Sequence, residues 1–137
     1  MLRSRSLVVS ALLLAALWFA LPSRVVAAGL DGKWKIKVDP DEDAAKAHEK
    51  EFDDVIVFKA DKFWSESQKK KGFAEAVYEE DTRRFGPSTF TAEAKSEKEG
   101  KVKWTGTATA ADITGEMTWT KKDGTVMHYT FKGEKSN

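Results

Sequence analysis

From Lys101 to Gly133 the chain alternates apolar and polar residues through three consecutive segments, a period that a helix cannot satisfy. Trp104, Gly106 and Ala108 alternate with Lys103, Thr105, Thr107 and Thr109. After Ala111-Asp112 the pattern resumes, with Ile113, Gly115, Met117 and Trp119 set against Thr114, Glu116, Thr118 and Thr120. A third segment sets Met127, Tyr129 and Phe131 against Val126, His128, Thr130 and Lys132. Successive side chains of a strand point to opposite faces, so each segment reads as a strand with one buried side. Between the last two, Lys122-Asp123-Gly124-Thr125 predicts a hairpin turn whose two central residues both take φ > 0. Three strands and two tight turns make an antiparallel meander, and the remaining segments must pack around it.

Upstream the same period recurs. Trp34, Ile36 and Val38 alternate with Lys33, Lys35 and Lys37, a half-buried strand within Leu30–Val38. In Phe52–Ala60 the run Val55-Ile56-Val57-Phe58 is apolar on both faces, which predicts a strand covered on both sides. Asp61-Lys62 predicts a turn into a strand over Phe63–Ser67, and Gln68–Gly72, with three consecutive lysines, a solvated loop. Phe73–Arg84 fits a strand, with a short helix left open, and ends in the Gly86-Pro87 turn. Ser88–Lys98 alternates again, with Phe90, Ala92 and Ala94 inside. Only Asp39–Glu51 departs from the β pattern. There Asp39 predicts an N-cap, Pro40 the first helical position, and Glu42 the reciprocal capping-box partner. Asp39, Asp41 and Asp43 also have the spacing of the first ligands of a calcium loop. Ala44 stands where that loop needs glycine and Lys50 where it needs glutamate, so the segment reads as a capped surface helix.

The first 28 residues read as a leader rather than as fold. Arg3 and Arg5 precede an apolar Leu7–Leu21, and Val26-Ala27-Ala28 offers the small residues that signal peptidase requires, with cleavage after Ala27 or Ala28. The apolar run is shorter than the ~20 residues that span a bilayer. The expectation is an exported protein, secreted or periplasmic, with one domain over residues 29–137 and no membrane insertion after cleavage. Loss of Arg3, Arg5 and Arg24 leaves 20 basic against 22 acidic side chains, a net charge of −2. That balance gives no footprint for nucleic acid. The sequence contains no cysteine, so it offers no disulfide, zinc–thiolate site or thiol nucleophile, and stability rests on the core.

About eight sequential strands with one helix after the first describe an all-β fold. Closing the last strand onto the first removes exposed edges, which favours an eight-stranded antiparallel up-and-down barrel; a β-sandwich of the same strands is the alternative. The Gly32-Lys33-Trp34 opening resembles the Gly-x-Trp start of the calycin barrels, lipocalin-like and avidin-like, and the strand count, chain length and meandering order are similar. The resemblance implies the barrel and carries over no ligand-contacting residue.

Catalytic motifs are missing: there is no Gly-x-Ser-x-Gly elbow, phosphate loop or dinucleotide fingerprint, and the carboxylates are scattered. His48 falls on the predicted helix and His128 on the outward face of the last strand, which does not make a metal site. No enzyme, cofactor or metal is expected. The inward face combines bulky Trp34, Phe58, Phe90, Trp104, Met117, Trp119, Tyr129 and Phe131 with small Ala92, Ala94, Gly106, Ala108 and Gly115. Small residues on one arc can leave a cavity, which predicts a small apolar or aromatic ligand held at Trp34, Trp104, Trp119 and Tyr129. The alternative is a filled barrel, with the small residues making room for the tryptophans. That chain would be a structural or protein-interaction domain with a partner in the cell envelope.

Overall fold

In a computed structural model of the chain, residues 29–82 and 86–136 are described. The leader assigned to 1–28 and the Arg83–Phe85 approach to the Gly-Pro turn lie outside those residues. Eight strands follow one another: β1 (Gly32–Pro40), β2 (Phe52–Lys59), β3 (Lys62–Ser65), β4 (Ala76–Thr82), β5 (Ser88–Ser96), β6 (Gly100–Ala108), β7 (Asp112–Thr120) and β8 (Val126–Ser136). Each pairs antiparallel with the next, and β8 returns to β1 from Lys33↔Ser136 to Pro40↔Tyr129, closing an up-and-down barrel. The barrel expected from the alternation, rather than the sandwich, is the fold.

Two short helices, α1 (Glu42–Lys46) and α2 (Glu66–Lys70), follow β1 and β3 and so sit at the same end of the barrel. The β5–β6 and β7–β8 turns share that helical end. The opposite end carries the entry to β1 and the β2–β3 and β6–β7 turns. Among the described residues no helix is long and apolar enough to cross a membrane.

Four local expectations require correction. The N-cap of α1 is Asp41, whose carboxylate accepts the Ala44 N–H at 2.8 Å, not Asp39. Pro40 stays in β1 opposite Tyr129, and the Asp41 N–H donates to the His128 carbonyl, so pairing with β8 delays the helix by two residues. The strand over Phe63–Ser67 stops at Ser65, which caps α2 where a solvated loop was expected. The β2–β3 turn is Ala60-Asp61, one residue earlier than expected; these residues lie at φ 50° and 63°, and Lys59 pairs with Lys62. Finally, in the β7–β8 turn only Gly124 has φ > 0, at 90°. The Lys121 carbonyl accepts the Gly124 N–H at 3.0 Å and the Lys121 N–H donates to Thr125 at 2.8 Å. This is the longer hairpin loop in which one left-handed residue follows an ordinary turn, and glycine is needed only once.

The core is the inward face of every strand. Trp34, Val38, Ile56, Phe63, Trp104 and Ile113 have essentially no exposure. Val57 points outward yet is also buried, since it lies opposite Trp64 of β3 in the ladder.

Candidate functional site

The barrel interior is occupied by rings. Phe58 meets Phe63, Tyr78 and Phe90 with centroids at 5.0, 5.0 and 4.9 Å. Trp104 meets Phe63 at 5.4 Å and Phe131 at 5.2 Å, while Phe90 and Phe131 lie 6.4 Å apart. These tilted and edge-on arrangements suit the ring quadrupoles. The glycines of the small-residue arc explain how the rings fit. Gly106 of β6 faces Gly115 of β7. A Cβ on Gly106 would lie 2.6 Å from Phe90 Cε1, and one on Gly115 would lie 2.6 Å from Phe131 Cζ. A Cβ on Gly115 would also meet the Thr105 carbonyl, so the space vacated by the missing side chains is taken up by phenyl edges together with the backbone of the neighbouring strand.

The four residues picked out as ligand contacts are distributed along this interior. Trp34 sits toward the end opposite the helices, fully buried, with its Nε1 donating to the Leu30 carbonyl at 2.9 Å. Trp104 is fully buried among the rings and donates to Gln68 Oε1 at 3.1 Å. Trp119 is half-buried at the helical end, donating to the Glu99 carbonyl at 2.7 Å. The ammonium groups of Lys121 and Lys71 stand 4.7 and 5.8 Å from its ring centre. Tyr129 is buried at that same end, edge-on to Phe52 at 6.3 Å. Burial and the carboxylate of Glu49 together hold its phenol far above the usual tyrosine range. Trp34 and Tyr129 lie six register positions apart along the β1–β8 ladder, a separation of roughly 20 Å. Trp119 and Tyr129 thus share one end, Trp104 belongs to the middle, and Trp34 is remote from the pair. All three interior indole N–H groups already have protein acceptors.

The alternation pattern did not mark a second, polar group inside the helical end. Asp54 of β2 is buried on the inward face and accepts from the Val55 N–H at 2.8 Å, the Ser67 N–H at 3.1 Å, Ser67 Oγ at 2.8 Å and Ser65 Oγ. Gln68, also buried, donates to Met117 Sδ at 3.2 Å while receiving the Trp104 N–H. Helix α2 is thus tied into the barrel by polar side chains rather than by an apolar plug. Ser65-Glu66-Ser67-Gln68 carries the S-x-x-Q spacing of a capping box, the one sequence signal that could have revealed it. Here Ser65 Oγ receives the Gln68 N–H at 3.2 Å, but the Gln68 side chain turns inward to Trp104.

His48 and His128 are both exposed, and His128 Nδ1 lies 3.3 Å from Thr118 Oγ1 across the β7–β8 ladder. Among the described residues no three metal-ligating side chains converge. A cleft follows the outside of the barrel beside α2, over Lys35, Lys37, Asp53, Lys132 and Glu134. No protein-family model, curated protein or solved structure matches this chain.

Proposed function

We propose that this protein is a non-catalytic exported domain that acts through its outer surface, as a structural or protein-interaction module of the cell envelope. One observation carries the reading: the positions where glycine could have opened a chamber, Gly106 and Gly115, are closed by the edges of Phe90 and Phe131 and by the backbone of the neighbouring strand. A ligand chamber needs both space and unspent polar groups to orient its occupant. Here the indole donors of Trp34, Trp104 and Trp119 are already satisfied by Leu30, Gln68 and Glu99. The leader-like first 28 residues support export, and the absence of cysteine is consistent with a domain held together by its aromatic core.

A native mass spectrum of the protein purified from its exported compartment tests this, together with a tryptophan-fluorescence titration against apolar compounds. The expected result is a bare polypeptide mass and no saturable quenching. A retained compound that dissociates on denaturation, or saturable quenching that Trp119→Ala weakens without unfolding, would overturn the packed-core reading. It would restore a ligand at Trp34, Trp104, Trp119 and Tyr129.

A further inference from the structure

The barrel is closed unevenly. Strand β3 has only four residues, and its ladder with β4 consists of Lys62↔Val77 and Phe63↔Ala76. On its other side β4 is matched to β5 from Tyr78↔Ala92 to Thr82↔Ser88. The β2–β3 hairpin turns back at Ala60-Asp61, so Tyr78–Asp81 extends past it. Pairing with β5 keeps these residues extended. Among the described residues their opposite edge has no strand partner, and alternate residues present N–H and C=O groups along it. Four residues of such an edge span roughly 13 Å, enough to hold a short strand.

The side chains of the edge specify what would pair there. Val77, Glu79 and Asp81 share the outward face, and Val77 is 65% exposed, the most exposed large apolar side chain among the described residues. Glu79, Glu80 and Asp81 are all exposed. Asp31 receives the Tyr78 hydroxyl at 3.3 Å, and Asp61 lies at the adjoining turn. Among the described residues the cation on the facing strand is Lys62, which sits opposite Val77, beyond the acidic run. A second copy of this chain would set carboxylate against carboxylate, and like charges directly opposite destabilise a strand pair. An extended segment bearing lysine or arginine at alternate positions, with an apolar residue to cover Val77, meets both the edge and its charge.

We infer that Tyr78–Asp81 is a strand-addition site for an extended basic segment of a partner protein. The inference rests on the outer-surface reading above and names the kind of partner that reading requires. In such complexes the main-chain hydrogen bonds supply affinity and the alternate side chains supply selectivity.

The test is an amide-resolved NMR titration of the isotope-labelled protein with a short peptide of alternating lysine and valine. A second peptide of the same charge, interrupted by prolines, cannot form a ladder. The lysine–valine peptide should shift amides centred on Tyr78–Asp81 and slow hydrogen exchange at alternate residues there. The proline peptide should do neither. Reversing charge in E79K/D81K should weaken binding roughly tenfold without changing the melting temperature, since both side chains are exposed. Should that variant fold poorly, E79Q/D81N gives the same comparison with a smaller loss. Equal binding of the two peptides, shifts spread over other acidic surfaces, or no binding would each overturn the site. A bare native mass with a failed titration would sink this inference alone. A retained compound in the native spectrum would sink the packed-core reading, whatever the peptide does.

Discussion

Ala60 and Asp61 both hold left-handed backbone, at φ 50° and 63°, to turn β2 directly into β3. The two-residue hairpin turn that requires φ > 0 twice matches the twist of the strands it joins, and asparagine and glycine are its usual residues. The protein uses it at an Ala-Asp pair, while the Asp123-Gly124 pair, whose composition announces such a turn, adopts φ > 0 only at Gly124. A left-handed alanine carries a Cβ–carbonyl conflict of about 1–2 kcal/mol that asparagine relieves in part through its local hydrogen bonding. Ala60 is exposed, so a change there disturbs no packing. Ala60→Asn should therefore stabilise the protein by about 0.5–1 kcal/mol, read as a higher urea midpoint with an unchanged slope. A lower midpoint would show that the turn does not carry the alanine in a strained state.

At the scale of elements, α2 joins the helical cap to the core through two residues. Gln68→Ala would leave the fully buried Trp104 Nε1 without its acceptor, and a buried donor stripped of its partner costs about 1–3 kcal/mol. Ser65→Ala would remove both the cap on Gln68 N and a hydroxyl on Asp54, with a cap loss of about 0.5–2 kcal/mol. Chemical denaturation should show both losses, and a blue-shifted tryptophan emission retained by folded Gln68→Ala would locate its effect in the hydrogen bond rather than in exposure of the core. A loss below measurement in Gln68→Ala would mean that α2 does not anchor the interior. These residues also mark where sequence reading succeeds and where it fails. The strands were legible because Trp34-x-Ile36-x-Val38 and its counterparts repeat a period that only one backbone geometry satisfies. A five-residue helix such as α2 has too few turns to show a period, leaving only Ser65-x-x-Gln68 to announce it. The displaced cap of α1 has a different cause, because Pro40 is claimed by a ladder partner 89 residues away in sequence, Tyr129. The inward Asp54 was hidden for the same reason: its partners Ser65 and Ser67 become neighbours only through folding. Trp34, Trp104, Trp119 and Tyr129 share the inward face, but a face does not disclose how far its members stand apart or whether Phe131 fills the gap beside Gly115.

For the whole molecule, closure through β1 and β8 makes the two ends of the barrel parts of one cooperative unit, and each end holds a tyrosine that can report on it. Tyr78 packs edge-on to Phe58 near the entry to β1 and donates to Asp31. Burial, with the negative charges of Asp31, Glu80 and Asp61, pushes its phenol up to about 12. Tyr129, at the helical end, is raised further by burial and Glu49. An unfolded tyrosine loses its proton near pH ~10. Between that pH and about 12 the folded chain thus keeps protons that the unfolded chain has released, and stability must fall as pH rises. Below pH ~10 both states hold the protons and the tyrosine contribution is fully present. The thermal midpoint should therefore decline across that alkaline window, and tyrosinate absorbance should rise together with unfolding rather than ahead of it. Lysines titrate over the same range, so the comparison that isolates the phenols is with Tyr78→Phe combined with Tyr129→Phe. The double variant should lose less stability per pH unit above pH ~10 than the parent. Tyrosinate formation near pH ~10 in a barrel that is still folded would contradict the burial of Tyr129 and the shielding of the half-buried Tyr78 beside Asp31.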